Sequence, residues 1–102
     1  MYEILINLFL EKLKFAPDFK KTVKLVVADH DDKVIYVDAT ARPATVTYDD
    51  DRDADVTLTA SKDIFEGLMN GTKDPNMAFM TRKLKISGSM GVAMRLNAVL
   101  ED

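Results

Sequence analysis

ADVTLTASKDIFEGLMNGTKDPNMAFMTRKLKISGSMGVAMRL, residues 54–96, is the stretch that decides the fold. Val56-Thr57-Leu58-Thr59 alternates apolar and polar residues, as a half-buried strand does. Ile64, Phe65, Leu68 and Met69 then share one face of a 3.6-residue period, which predicts a helix. Asp74 suits the cap and Pro75 the first position of a second, short helix carrying Met77, Ala78, Phe79 and Met80. Alternation returns in Lys83-Leu84-Lys85-Ile86, a strand with two lysines toward water and two aliphatics inward. Gly88-Ser89-Met90-Gly91 reads as a tight strand-to-helix turn with Ser89 as the cap of a last helix.

Outward from this stretch, the N-terminal half supplies the rest of a sheet. Tyr2 to Leu13 reads as a helix with Tyr2, Leu5, Ile6, Phe9 and Leu13 on one stripe, and Ile4, Leu8 and Leu10 widen it. Such a broad stripe predicts a helix wedged against a sheet edge; the alternative is a homodimer seam through residues 2–13 or a transient membrane-touching face. Phe15, Pro17 and Phe19 mark a break. Thr22 to Ala28, with Val23, Leu25 and Val27 on one face, pairs with Val34-Ile35-Tyr36-Val37 across the turn Asp29-His30-Asp31-Asp32. Ala44 to Tyr48 makes a third strand, and Asp49-Asp50-Asp51-Arg52-Asp53 a solvated turn before the fourth. The expected class is α+β: a five-stranded, mainly antiparallel sheet covered by helices, in one domain over residues 1–102.

Composition narrows the function. With 47% hydrophobic and 30% charged residues the chain is ordinary for a globular domain, and its net charge of −3 provides no basic field for nucleic acid. Gly88-Ser89-Met90-Gly91 has the form of an RNA-gripping loop, but in an acidic chain the glycines read as structural. No cysteine is present, which excludes disulfides, thiolate nucleophiles and cysteine metal sites. The first residues lack a basic segment and a small-residue cleavage site, and the chain ends Leu100-Glu101-Asp102 without a peroxisomal address. A cytoplasmic protein is expected. Asp29, Asp31 and Asp32, or Asp49, Asp50, Asp51 and Asp53, could offer oxygens to a cation, yet the glycine and glutamate of a calcium loop are missing. His30, the sole histidine, falls at a hairpin tip with no nucleophile to serve. No catalytic constellation, metal site or cofactor motif emerges, so no enzyme is expected.

Five of the six methionines fall between Met69 and Met94. Methionine fills irregular core gaps, and the same softness suits an adaptable lining for an apolar ligand. Spacing leaves both readings open.

The run Ala54-Asp55-Val56-Thr57-Leu58-Thr59, then Phe65, Leu68-Met69-Asn70-Gly71, Pro75, Ala78-Phe79-Met80, Lys83 through Gly91 and Ala93-Met94-Arg95-Leu96 resembles the sterol-binding domain of the sterol carrier protein family. The likeness is strong from Ala54 to Leu100 and only pattern-level before that. It implies a lipid-binding, lipid-transfer domain with a hydrophobic tunnel between a mixed sheet and its helices. Ligands described for the family are fatty acids, fatty acyl-CoA, sterols and phospholipids. On this reading Phe65, Leu68, Met69, Met77, Phe79, Met80, Leu84, Ile86, Met90 and Met94 line the tunnel, and Lys83, Lys85 or Arg95 meets an anionic headgroup at its mouth. The alternative implied by the resemblance is an accessory or dimerisation module that docks a partner protein, for example in lipid or quinone metabolism.

Overall fold

The computed structural model describes residues 2–31, 33–41, 43–49 and 52–101. The elements run α1 (Glu3–Lys14), β1 (Thr22–Val27), β2 (Lys33–Asp38), β3 (Thr45–Tyr48), β4 (Val56–Ala60), α2 (Lys62–Asn70), α3 (Pro75–Met80), β5 (Leu84–Gly88) and α4 (Met90–Glu101). The strands form one sheet in the order β3-β2-β1-β4-β5. Three of its four pairings are antiparallel, and β1–β4 is parallel, with Val23 opposite Val56 and Val27 opposite Ala60. The α+β expectation therefore holds, with β1 to β3 as a meander.

β4 does not continue that meander. It pairs with β1 on the far side, so residues 49–55 must travel from one edge of the sheet to the other side of β1. Asp49, Arg52 and Asp53 of the expected solvated turn are exposed and belong to this connection; Asp50 and Asp51 lie outside the described residues. Its path crosses Tyr36, whose ring lies 4.4 Å beneath the Arg52 guanidinium and whose hydroxyl reaches the Asp53 carbonyl at 3.5 Å. This ring is buried on the face that the helices leave, because alternation sends Ile35 and Val37 the other way.

Val23, Leu25, Val27, Ile35, Val37, Val56, Leu58 and Ala60 form the inward face and join the helices in one core. The predicted α1 stripe is buried there: Leu5 and Phe9 have no exposed surface, and Tyr2, Ile6 and Leu13 very little. α1 packs on α2 and α4, and its narrow stripe is spent on the chain's own core, while Ile4 of the widened stripe stays 72% exposed. α2 begins at Ser61, whose hydroxyl accepts the Ile64 N–H, and ends at Gly71 in the left-handed region. Asp74 caps α3 by accepting the Asn76 N–H, with Pro75 at the first position. α3 closes with Lys83 N–H to Ala78 carbonyl and Arg82 N–H to Phe79 carbonyl, a paired motif that places Arg82, not glycine, at φ 62°. Ser89 accepts the Val92 N–H to start α4.

Candidate apolar ligand site

The ten residues expected to line a tunnel separate into two layers. Phe65, Leu68, Met69 and Leu84 are buried, Ile86 is half-buried, and Met77, Phe79, Met80, Met90 and Met94 are exposed, Met80 at 75% and Met94 at 73%. Helix geometry gives the reason. α3 has six residues and buries only Pro75 and Ala78, so Met77, Phe79 and Met80 face out. α4 buries Val92, Ala93, Leu96, Val99 and Leu100 and leaves the opposite stripe open. That stripe runs Met90, Met94, Asn97, Glu101 at steps of four, three and four. Asn97 Nδ2 donates to Asn76 Oδ1 at 3.0 Å, and Asn76 Nδ2 donates to Glu101 Oε1 at 2.9 Å. α3 is thereby tied over the C-terminal half of the stripe, while Met90 and Met94 stay uncovered on its N-terminal half.

A cavity of about 420 Å³ lies elsewhere, between one flank of α1 and the β2–β3 connection. Leu10, Leu13, Phe19, Ala39, Pro43 and Ala44 supply a mainly apolar wall; Asn7, Glu11 and Lys14 supply the polar part. Lys14 Nζ sits 3.5 Å from Glu11, and both side chains are well exposed, so the pair stays hydrated. A shallower hollow of about 350 Å³ runs between the α1–β1 connection, at Phe15 to Phe19, and the outer flank of α4, at Arg95, Ala98 and Val99. None of the ten expected residues lines either space. The larger cavity went unread in the sequence because its wall comes from segments 25 residues apart. Its signal was present: Ala39, Ala41, Pro43 and Ala44 are small residues facing a helix flank that carries Leu10 and Leu13.

Several aspartates of the turns and strand ends have structural partners. Asp29 Oδ1 accepts the Lys62 N–H at 2.9 Å, and Asp49 Oδ2 takes the Lys33 ammonium at 2.8 Å, which raises the lysine pKa. Among the described residues no group of three His, Asp or Glu is placed to hold a metal ion, and Asp32, Asp50 and Asp51 lie outside them. His30 is not a free surface histidine: it is half-buried, with its ring edge-on to Tyr2 at 5.9 Å. Asp38 is held below the usual aspartate range by the hydroxyl and backbone N–H of Thr40. Asp55 is held low by the backbone N–H and hydroxyl of Thr22. Lys83, Lys85 and Arg95 are exposed, and none of the three lines the larger cavity. No described helix is long and apolar enough to cross a membrane.

Comparison with known proteins places this arrangement in context. The model of the SCP-2 sterol transfer family matches residues 9–101. Sterol carrier protein 2 of Rattus norvegicus is 40% identical over 63 residues, which are 62% of this chain and 12% of that protein. The chain thus spans about an eighth of that relative's length. The solution structure of the sterol carrier protein domain 2 of Helicoverpa armigera superposes with a TM-score of 0.69 at 27% identity, covering 90% of this chain and 70% of the other. Palmitated SCP2L2 from Aedes aegypti superposes with a TM-score of 0.77 at 18% identity, covering 98% and 94%; at that identity the likeness is one of fold.

Proposed function

We propose, from the premise that this chain belongs to the SCP-2 sterol transfer family, that it is a non-catalytic binder of a lipid with a long apolar chain. The observation that carries the reading is the cavity between α1 and the β2–β3 connection. Its volume lies within the roughly 300–1,000 Å³ of small-molecule sites, and it opens beside a core that is otherwise closed over Phe9, Phe65 and Leu68. Each methylene that enters such a wall leaves water with a gain of about 0.8 kcal/mol, so chain length sets affinity while wall chemistry sets little specificity. Lys14 stands where a carboxylate or phosphate headgroup at the mouth would meet it. The Aedes aegypti neighbour carries palmitate on the same fold, which supports a fatty acyl chain as the occupant. The five exposed apolar residues on α3 and α4, above Phe65, Leu68, Met69 and Leu84, are a second place where a chain could enter, by α3 lifting from its asparagine ties.

Native mass spectrometry with palmitate, palmitoyl-CoA and cholesterol tests this. A lipid adduct abolished by Leu10→Arg and kept by Met94→Glu assigns the cavity. The reverse pattern assigns the α3–α4 entrance. No adduct with any of the three, from a protein that circular dichroism shows folded, overturns the lipid reading in favour of an accessory module that docks a partner.

A further inference from the structure

Charge in this chain is segregated in a way that net charge conceals. Residues 75–100 contain Arg82, Lys83, Lys85 and Arg95 and no aspartate or glutamate, whereas the other 76 residues hold ten cations and all seventeen acids. The same segment carries the exposed Met77, Phe79, Met80, Met90 and Met94, five of the eight large apolar side chains that are exposed among the described residues. All four cations are exposed, and no described ion pair involves any of them. Arg82 and Lys83 follow Met80 and Thr81 at the C-terminal end of α3, and Arg95 follows Met94, whereas Lys85 projects from edge strand β5 beside Thr59, on the sheet face that the helices leave. The turn that presents Arg82 and Lys83 is fixed by two backbone hydrogen bonds, so these cations are held at the end of the apolar helix.

We propose that the face built by α3, β5 and the N-terminal half of α4 docks on a bilayer surface that contains anionic phospholipid. Soft, unbranched methionines enter the headgroup–acyl boundary, and Arg82, Lys83 and Arg95 take the phosphate and carboxylate groups around them. Charge complementarity selects this occupant. A second copy of the chain would set three cations against three in a two-fold contact, which opposes self-association through this face. The docking does not depend on which lipid the chain carries or on where it is held.

Sedimentation of the full chain with vesicles tests it in the absence of added cargo. Vesicles of phosphatidylcholine and phosphatidylserine in equal parts are expected to carry the protein down at low ionic strength, and vesicles of phosphatidylcholine alone to leave it in solution. Arg82→Glu with Lys83→Glu is expected to weaken binding about tenfold or more, as is Met80→Ser with Met94→Ser, while the charge reversal Lys20→Glu on another surface changes it little. Equal sedimentation with both vesicle types, or binding unchanged in the Arg82→Glu, Lys83→Glu protein, overturns the proposal. So does a dimer in analytical ultracentrifugation that Met94→Glu dissociates. Circular dichroism of each variant separates loss of docking from loss of fold. Failure of lipid uptake in native mass spectrometry bears on the cargo alone and leaves this outcome unchanged.

Discussion

Thr22 and Asp55 clasp each other reciprocally across 33 residues of sequence. The Thr22 N–H donates to Asp55 Oδ2 at 2.9 Å, the Thr22 hydroxyl donates to the same oxygen at 3.0 Å, and the Asp55 N–H donates to that hydroxyl at 2.8 Å. They stand one residue before Val23 and Val56, the first pair of the parallel β1–β4 ladder. Parallel strands have no hairpin turn to set their register, so this clasp does it. Asp55→Ala is expected to cost about 1–2 kcal/mol, since bonds to a charged but exposed group keep only part of their worth, lowering Tm by roughly 5–15 °C. The folded carboxyl titrates below its ordinary range, so its contribution is present above about pH 4 and is lost as pH falls through the lower folded value. Urea melts from pH 7 down to pH 2 should show a shallower acid limb in Asp55→Ala than in the parent.

Gly88 and Gly71 both have positive φ, at +99° and +82°, but differ in what surrounds them. A Cβ on Gly88 would stand 2.7 Å from the Asp55 carbonyl oxygen, a backbone atom that also accepts the Ser89 N–H. A Cβ on Gly71 would meet nothing within 4 Å. Gly71→Ala therefore costs only the conformational penalty, about 1 kcal/mol, and Gly88→Ala about 2–4 kcal/mol. Chemical denaturation of the two variants checks the order.

Tyr36 anchors the crossover by its ring more than by its hydroxyl. At 3.5 Å the contact to Asp53 is long, while the Arg52 guanidinium sits over the ring. Tyr36→Phe is expected to stay within about 0.5 kcal/mol of the parent and Tyr36→Ala to lose about 2–4 kcal/mol. An equal loss in both would assign the anchor to the hydroxyl.

Phe65 and Phe79 belong to adjacent helices of the same methionine-rich stretch, yet Phe65 has no exposed surface and Phe79 is 47% exposed. Phe65→Ala is expected to destabilise by about 3–5 kcal/mol, and Phe79→Ser by less than about 0.5 kcal/mol. Thermal melts distinguish the two, and the near-neutral variant then becomes a clean probe of the α3–α4 face.

The comparison of those two phenylalanines shows what was legible in the chain and what was not. Elements with one dry face announce themselves by period: Leu5, Phe9 and Leu13 in α1, Val23, Leu25 and Val27 in β1, and Asp74-Pro75 at the start of α3 all read correctly. α3 is loaded with apolar residues on every side, so period could not say that Ala78 turns in while Met77 and Met80 turn out. Pairing partners were equally silent, because alternation marks a strand without naming its neighbour; β1–β4 is decided by side chains such as Thr22 and Asp55 that carry no periodic signal. The cavity depends on small residues of the β2–β3 connection meeting α1, a juxtaposition made only by the folded sheet.

The crossover at residues 49–55 also sets an order of events. The meander of β1, β2 and β3 closes through short loops, whereas β1 meets β4 only after a loop of about 30 residues has been drawn together. Assembly is accordingly expected to proceed by halves, the N-terminal meander forming early and the β4-to-α4 unit docking along β1 in the slow step. Cut within that connection, the chain would become two complementary fragments whose reassociation is read directly as a second-order reaction, with the exposed edge of β1 as the seam.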